Sequence, residues 1–346
     1  MEYDAYKESG VDIDAAMETK KHIKELVRST FGTEVLTDIG AFGGLFKPDF
    51  TGIVDPVLVS SADGVGTKLK VAYMTNRHNT VGADLVNHCC NDILVMGARP
   101  LFFLDYLAYA QHDDTVVSAV IAGIAEACRT NGCALVGGEM AELPDVYHPG
   151  EYDLAGVIVG VVGQHNIPDV SMVYEGDVIL GLASTGLHTN GYTLARKLVF
   201  QTAGLTTDDI LPGTGQTVAD ALLAVHRSYV SSLLPLVNDA GLHALAHITG
   251  GGFPGNVNRS LPPELDAVID IDSWEVPPLF RFLAETGNLS EYDQYRTFNM
   301  GIGMVVLAAE KEACRITEIL RESGESVYTI GRVVSGTQEV RLVHGL

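Results

Sequence analysis

The first segment whose residue types suit ligand binding is Asp63–Lys68, which reads Asp-Gly-Val-Gly-Thr-Lys. Its glycines allow backbone N–H groups to approach a phosphate closely, and Lys68 adds a positive charge. Asp63 can hold a cation next to that phosphate. An ordinary tight turn with a surface lysine is the alternative. The predicted phosphate-site residues are Asp63, Gly64, Gly66, Thr67 and Lys68.

Two further carboxylates lie in, or directly after, predicted elements of secondary structure. Asp92 lies with His88 in an apolar helix, where an unpaired buried carboxylate is costly, so a metal ion or a lysine would have to balance it. A helix-surface aspartate is the alternative. Glu139 follows Gly137 and Gly138 at the end of a predicted strand. Together Asp63, Asp92 and Glu139 predict an oxygen-rich cation site of the kind that suits Mg²⁺ on a nucleotide.

Ser184–Gly191 (Ser-Thr-Gly-Leu-His-Thr-Asn-Gly) precedes a predicted helix. The polar groups and glycines before a helix N-terminus predict an anion site. His188 could donate to a phosphate or a carbonyl, or act as a general base, and a loop histidine that caps the helix is equally compatible with this segment.

A third glycine loop, His247–Gly252, could hold a phosphate through Gly250 and Gly251. His243 and His247 are four residues apart, as in a helical metal pair. No HExxH motif accompanies them and no third ligand is evident, so the sequence does not favour a metal pair here.

The elements that must position these residues alternate between helix and strand, which predicts a mixed α/β fold in two halves. We expect the boundary in the polar stretch Gly163–Gly176, giving domains 1–168 and 169–346. Predicted helices are Asp12–Thr30, Thr80–Met96, a helix capped by Asp114, Tyr192–Phe200, Val218–Ala240 and Pro277–Thr286. Predicted strands are Pro56–Asp63, Leu101–Ala110, Ala134–Val136, Leu154–Val162, Val178–Ser184, Ala267–Ile271 and Met304–Ala308.

Composition excludes several functions. The formal charge of −22 would repel a nucleic-acid backbone, and apolar residues at 47% exclude disorder as the main state. No apolar stretch is long enough for a membrane span. Five sparse cysteines without a CxxC pair indicate a reduced, cytoplasmic protein. Neither GxxxxGK[ST] nor GxGxxG after a strand is present, which argues against the common phosphate loop and a dinucleotide site.

Taken together, these segments resemble the aminoimidazole ribonucleotide synthetase family over almost the whole chain. The ordered motifs that carry the resemblance are Tyr6–Asp14, Asp63–Lys68, Leu101–Tyr106, Ser118–Glu126, Leu135–Glu139, His188–Gly191, Ala246–Phe253 and Tyr295–Met304. Leu187 and Met140 depart from the usual proline and threonine, and neither change removes a proposed charged group.

The resemblance implies an N-terminal sheet domain that dimerises and a C-terminal sheet covered by helices. It implies an enzyme of purine biosynthesis that uses ATP and Mg²⁺ to cyclise the small molecule formylglycinamidine ribonucleotide to aminoimidazole ribonucleotide, with ADP and phosphate released. ATP would phosphorylate the formyl-amide oxygen, and the substrate's own nitrogen would then attack that carbon. Positioning and charge neutralisation would supply much of the acceleration.

The same resemblance suggests individual roles. His188 and Asn190 would lie near the reacting amide, and Ile39–Phe46 would form a loop over the site. Nucleotide and metal would be held by Asp63, Lys68, Asp92, Gly138 and Glu139, with Gly250 and Gly251 as a phosphate-approach loop. A selenophosphate synthetase-like enzyme and a non-catalytic nucleotide-binding paralogue are the alternatives. A selenophosphate synthetase-like enzyme needs a reactive cysteine in its early glycine loop, whereas the first cysteine of this chain is Cys89.

Overall fold

The computed structural model describes residues 13–345, with side chains from residue 17 onward. Most of the Tyr6–Asp14 motif therefore lies outside the described residues. The structure is a mixed α/β fold built on two sheets, which confirms the predicted fold class. In this range every helix is too short or too polar to span a bilayer.

The first sheet has four strands in the order β1-β4-β2-β3. β4 pairs antiparallel with β1 and β2, and β2 pairs parallel with β3. Its strands are β1 (Pro56–Gly64), β2 (Arg99–Tyr109), β3 (Ala134–Glu142) and β4 (Tyr152–Gly163). Its helices are α1 (Ile13–Arg28), α2 (Leu69–Thr75), α3 (Val81–Leu94) and α4 (Asp114–Asn131). We call this part the N-domain.

The two faces of this sheet differ in burial. Along β4, Leu154, Gly156 and Ile158 are buried, whereas Asp153 and Val157 are exposed. This alternation is the period-2 pattern of a strand with one covered face. α3 packs against β1, β2 and β4 on the covered face, and α4 packs against α3 and β3. The other face is open in the single chain.

The second sheet has six strands in the order β10-β7-β9-β5-β8-β6. Only β10 and β7 pair in parallel. Its strands are β5 (Val178–Ala183), β6 (Leu242–His247), β7 (Leu265–Asp270), β8 (Ile302–Ala308), β9 (Val327–Ser335) and β10 (Val340–Val343). Its helices are α5 (Tyr192–Arg196), α6 (Val218–Leu223), α7 (Val230–Leu233), α8 (Gly252–Val257), α9 (Pro278–Gly287), α10 (Glu291–Thr297) and α11 (Ala313–Glu322). We call this part the C-domain.

Several predicted elements end elsewhere. Asp113, and not Asp114, caps α4, because its Oδ1 accepts from the N–H groups of Thr115 and Val116. β3 continues through the glycines to Glu142, so Glu139 lies inside a strand and not at its end. His243 and His247 lie on strand β6, which excludes the helical metal pair.

The predicted helix Val218–Ala240 is wrong in its middle. Helical structure stops after Leu223 and resumes at Val230, and we call residues 224–229 the interdomain segment. Most of its backbone bonds are to N-domain side chains, and Thr185 and His188 of the C-domain bond the Val225 carbonyl and the Arg227 N–H. Asp84 and Asn87 on α3 bond the N–H and C=O of His226 at 2.7 Å each.

Asn91 holds the same segment one turn further along α3. Its Nδ2 donates to the Arg227 carbonyl at 2.8 Å, and its Oδ1 accepts from the Tyr229 N–H at 2.9 Å. These side chains satisfy backbone groups that a helix would otherwise have paired internally, which explains the break. They also join the two domains, because the bonds run from α3 into the C-domain.

Candidate functional site between the domains

Asp63 and Gly64 close strand β1 at the edge that faces the C-domain. Asp63 is partly exposed; its Oδ1 accepts from the Gly64 N–H at 2.6 Å, and its Oδ2 lies 3.0 Å from Nε2 of His88. Burial raises the pKa of Asp63, but the hydrogen bond and charge of His88 outweigh it and leave the pKa lowered. Asp63 is therefore an ionised carboxylate that borders open space.

The rest of the Asp63–Lys68 segment is one 3₁₀ turn leading into α2. Gly66 has φ +67°, a conformation that favours glycine, and is exposed together with Thr67. The Thr67 hydroxyl lies 2.9 Å from that of Thr193 in the C-domain. The turn thus touches the C-domain through its threonine.

Lys68 does not lie on the surface of this turn. Its side chain is fully buried, with Nζ 2.7 Å from Oδ2 of Asp84 and donating to the carbonyls of Ala224 at 2.7 Å and His188 at 3.2 Å. Burial lowers the pKa of Lys68 and raises that of Asp84, and the attraction between the two charges opposes both shifts. The sequence predicts Lys68 as a phosphate contact, with a surface lysine as the alternative. In this conformation its ammonium group instead contacts Asp84 and two backbone carbonyls.

Asp92 lies near the end of α3 and points toward the C-domain. Its Oδ1 lies 2.8 Å from Nδ1 of His247, and its Oδ2 accepts from the Ser61 hydroxyl at 3.1 Å and lies 3.6 Å from Nε2 of His88. Burial raises the pKa of Asp92, but the contacts with His247 and His88 outweigh it and lower the pKa. The structure brings Asp63 and Asp92 together around His88, as the sequence predicts for two of the three carboxylates.

A chain of hydrogen bonds continues inward from these carboxylates. Nδ1 of His88 lies 2.7 Å from the Thr189 hydroxyl, which lies 3.3 Å from Nδ1 of His226. Nε2 of His226 lies 3.0 Å from Nε2 of His247, which returns to Asp92. Burial lowers the pKa of His226 and His247, whereas the carboxylates near His88 overcome its burial and raise the pKa of that ring.

His188 lies behind this group and is 1% exposed. Its ring stacks on His226 with centroids 4.0 Å apart. Its Nε2 faces the N–H groups of Thr185 at 3.3 Å and Arg227 at 3.4 Å, and therefore serves as an acceptor. Burial moves the pKa of His188 well below its usual value, so the ring is neutral. This position supports a positioning role more directly than contact with a substrate.

Asn190 lies closer to open space. Its side chain is partly buried, with Nδ2 3.5 Å from the Thr189 hydroxyl, and its Oδ1 faces Gly250. Asn256 secures that loop by donating from Nδ2 to the carbonyls of Thr249, Gly250 and Gly252. Asn190 and the predicted glycine loop are thus brought together.

Gly250 and Gly251 are exposed, and Gly251 has φ +93°. A Cβ on Gly252 would lie 1.9 Å from the Tyr295 carbonyl oxygen, so only glycine fits there. The close approach fixes the loop against α10 and leaves the two preceding glycines free to face a ligand.

A cavity of about 520 Å³ lies between the domains, and we call it the interdomain cavity. It is large enough for a small-molecule ligand. Its polar lining from the N-domain comprises Ser60, Ser61, Asp63, His88 and Asp92, and from the C-domain His247, Thr249, Asn256, Arg259 and Ser260.

Arg259 was not singled out from the sequence. It is exposed and lines the interdomain cavity, and within residues 13–345 its guanidinium takes part in no ion pair or hydrogen bond. An unpaired guanidinium in a polar cavity suits a phosphate or carboxylate ligand. The sequence offered little signal, because Asn258-Arg-Ser260 forms only a short 3₁₀ turn after α8.

His226 was also not singled out from the sequence, although the sequence contains a pattern that indicates it. Asp84, Asn87 and Asn91 recur at intervals of three and four residues on a helix in which twelve of fourteen residues are buried. A polar stripe at that spacing requires partners on another element. The partner is the interdomain segment, which carries His226 into the site.

Gly138 and Glu139 lie elsewhere. They line a second cavity of about 780 Å³ within the N-domain, together with residues 38–44 and Asp105, and we call it the N-domain cavity. β3 and β1 are opposite edges of the four-stranded sheet, three strand spacings or roughly 14 Å apart. One ion cannot contact both Asp63 and Glu139 of the same chain, so the predicted three-carboxylate cluster is wrong as a single site.

Asp105 is a buried carboxyl group beside this second cavity. A Cβ on Gly138 would lie 2.2 Å from its Oδ1, so the glycine makes room for the carboxyl group. Burial raises the pKa of Asp105 to about 7, and the charge of Glu139 adds to the shift. The predicted loop Ile39–Phe46 lies partly over this cavity.

Fold and site together define a two-domain mixed α/β protein with a carboxylate- and imidazole-lined cavity between its domains. Residues 49–162 match the family model of the AIR synthase related protein N-terminal domain, and residues 174–344 match that of the C-terminal domain. The chain belongs to this family, which confirms the resemblance found in the sequence.

Curated relatives extend the match to nearly the full chain. The chain is 48% identical to phosphoribosylformylglycinamidine cyclo-ligase of Geotalea uraniireducens, and the alignment covers 98% of each chain. It is 51% identical to the cyclo-ligase of Citrifermentans bemidjiense, over 95% of this chain and 94% of that one. The cyclo-ligase of Geobacter sulfurreducens is 50% identical over 98% of both.

Solved structures share the fold at low identity. Thiamine-monophosphate kinase from Stenotrophomonas maltophilia aligns with TM-score 0.69 and 19% identity over 96% of each chain. The hydrogenase maturation protein HypE in complex with ATP aligns with the same score and identity, over 97% of this chain and 93% of that one. These likenesses establish the fold and do not choose among activities.

Proposed function

We propose that this protein is a phosphoribosylformylglycinamidine cyclo-ligase. It uses ATP to convert formylglycinamidine ribonucleotide to 5-aminoimidazole ribonucleotide, with ADP and phosphate as the other products. The observation that carries the proposal is the identity of about half of all residues, over nearly the full length, to relatives with that name. A place in purine biosynthesis and in the cytoplasm follows from the same proposal.

The interdomain cavity supports binding of phosphorylated ligands. Arg259 offers a charged donor on the C-domain side of the cavity, and the exposed Gly250 and Gly251 directly follow Thr249 of its lining. Asp63 and Asp92 face them from the N-domain, and bare carboxylates would repel a phosphate. One or two carboxylates are what Mg²⁺ uses when it accompanies a nucleotide. Asp63 and Asp92 therefore fit Mg²⁺, which would neutralise phosphate charge when bound.

The residues predicted to be catalytic receive different roles in this proposal. Asn190, whose partly buried side chain lies beside the exposed Gly250, orients the reacting amide. His188 and Lys68 act from behind: the ammonium group of Lys68 holds the His188 carbonyl, and the His188 ring stacks on His226. Both are positioning residues, because both side chains are fully buried.

The open face of the N-domain sheet supports a homodimer. Leu58, Tyr106 and Val157 are 62%, 40% and 37% exposed on adjacent strands β1, β2 and β4. Contiguous apolar side chains on a sheet face are typical of a protein interface. A second copy packed there would cover the face that carries Glu139, because Glu139 pairs with Tyr106 between β3 and β2.

The direct test is to mix purified protein with formylglycinamidine ribonucleotide, ATP and Mg²⁺. We expect one aminoimidazole ribonucleotide for each ADP. Phosphate release without the imidazole, or dependent on selenide instead of the amidine, would contradict the proposal.

Arg259→Gln tests the cavity separately. A lost charge-assisted hydrogen bond is worth about 1.5–3 kcal/mol, so KM for the ribonucleotide or ATP should rise roughly tenfold to a hundredfold. The melting temperature without ligands should not change, because Arg259 has no partner among the described residues. Arg315→Gln, whose guanidinium pairs with Asp239 on the surface, is the control and should leave KM unchanged.

A further inference from the structure

Two imidazole rings and one carboxylate converge on the floor of the interdomain cavity from two domains. Nε2 of His88 lies 3.6 Å from Oδ2 of Asp92, and Nδ1 of His247 lies 2.8 Å from Oδ1 of the same carboxylate. The three ligand atoms lie within 4.8 Å of one another. Such spacing allows one ion to contact all three after small side-chain rotations.

In each ring, the nitrogen that does not face Asp92 already has a hydrogen-bond partner. Nδ1 of His88 lies 2.7 Å from the Thr189 hydroxyl, and Nε2 of His247 lies 3.0 Å from Nε2 of His226. Metal-binding histidines characteristically use their second nitrogen in this way, which sets the tautomer and orients the ring. Both rings are buried, so their orientation costs little additional entropy when an ion binds.

The remaining side of the cluster faces Asp63 and the cavity. Oδ2 of Asp63 lies 3.0 Å from Nε2 of His88, within reach as a fourth ligand. The cavity provides an entry path and room for water or a substrate oxygen. A second histidine group shares His247 with His188 and His226, and neither of those two lines the cavity.

The donor set discriminates between ions. Mg²⁺ selects oxygen ligands, whereas imidazole suits Zn²⁺, Co²⁺ and neighbouring transition ions. Two imidazoles with one or two carboxylates are a common catalytic zinc set that leaves a position open.

We propose that, without nucleotide, His88, Asp92 and His247 bind one divalent transition ion of the zinc or cobalt class, with Asp63 as an additional ligand. The inference deepens the proposed function because it shares Asp63 and Asp92 with the Mg²⁺ site. It does not depend on the cyclo-ligase reaction, since binding is measured without ATP or substrate.

The test is a titration of chelator-treated full-length protein with Co²⁺, followed by visible absorption. We expect one Co²⁺ per chain with the intense bands of a low-coordinate ion, unaffected by millimolar Mg²⁺. His88→Gln and His247→Gln should each lose these bands. His165→Gln, which changes a histidine with a 78% exposed side chain, is the control and should retain them.

Bands that persist in both site variants, or that disappear in the control, would overturn the proposal. If the site variants fail to fold, X-ray absorption of the Zn²⁺-loaded wild-type protein decides it. Nitrogen ligands at about 2.0–2.1 Å support the site. An all-oxygen shell, or a sulfur ligand from exposed Cys314, would overturn it. Because each readout is taken without catalysis, an inactive enzyme with an intact cobalt spectrum would contradict only the proposed function.

Discussion

Lys68 forms a buried ion pair with Asp84 inside the N-domain and bonds two C-domain carbonyls, so its loss should differ from the loss of a ligand contact. Lys68→Met leaves the Asp84 carboxylate buried without its counter-charge. Breaking one partner of such a pair typically costs about 3–5 kcal/mol. We therefore expect the free energy of unfolding of the ligand-free protein to fall by that amount in urea denaturation.

Lys70→Met is the matched control. Lys70 lies two residues along the chain and pairs with Glu151 at 2.6 Å, but its side chain is 39% exposed. Surface pairs contribute at most about 1 kcal/mol. A Lys68→Met protein with normal unfolding and weakened ATP binding would instead restore Lys68 as a phosphate contact.

Asp105 gives the protein a measurable dependence on pH. Its pKa is raised by burial to about 7 in the folded state, so the carboxyl group is more easily ionised in the unfolded chain. Stability from this group is present at acid pH and is lost as pH rises through the folded pKa. Between pH 5 and 7 the loss is roughly 2 kcal/mol.

Asp105→Asn should remove this slope. Chemical denaturation at pH 5 and pH 8 should show a smaller decline for the variant than for the wild type. Equal declines in the two proteins would mean that Asp105 is ionised in the fold at low pH.

The sequence alone was sufficient to predict the positions of some site residues and not of others. Asp63 and Asp92 lie on a strand end and on the helix beside it, so local pattern brought them together. Lys68 and Glu139 depend on long-range packing. The glycines before Lys68 predict an exposed side chain, and nothing in the local sequence indicates that Asp84 faces it. Glu139 was predicted at a strand end because glycines usually interrupt strands.

At the scale of elements, Asn91 connects α3 to the interdomain segment. Asn91→Ala would leave the Arg227 carbonyl and the Tyr229 N–H without their partner. Each unpaired buried group costs about 1–3 kcal/mol. We expect a marked loss of stability and faster hydrogen exchange at the Tyr229 amide.

Asn166→Ala is the control, since Asn166 is exposed in the short turn after β4. It should unfold as the wild type does. Unchanged exchange at Tyr229 in the Asn91 variant would show that the backbone of the segment is held by other contacts.

α3 shows what a pattern can and cannot predict. The helix expected over Thr80–Met96 is observed over Val81–Leu94, because its apolar spacing is strong. Val218–Ala240 has comparable apolar spacing but is broken, because α3 side chains compete for its backbone groups. Local propensity decides the first case and tertiary contacts the second.

At the scale of the whole molecule, the exposed N-domain sheet should control the oligomeric state. Val157 lies on the central strand β4 of that face. Val157→Glu would place a charge in the proposed interface, where desolvation is unfavourable. We expect sedimentation velocity to show a dimer for the wild type and a monomer for the variant.

Met74→Glu is the corresponding control, because Met74 is 52% exposed on α2 and away from the sheet face. It should remain dimeric. A monomeric wild-type protein, or a dimeric Val157→Glu variant, would remove the proposed interface.

The polar stripe on α3 also has a consequence for synthesis on the ribosome. Asn91 and its partner Arg227 are separated by 136 residues. At about 5–20 residues per second, α3 is made roughly 7–27 s before its partner. For that period Asn87 and Asn91 of the nascent N-domain lack their partners in the interdomain segment, and Asp84 retains only its ion pair with Lys68. A chain that stalls after β4 would therefore be a substrate for chaperones or proteolysis, and completion of the interdomain segment marks the point at which the newly made protein becomes resistant to both.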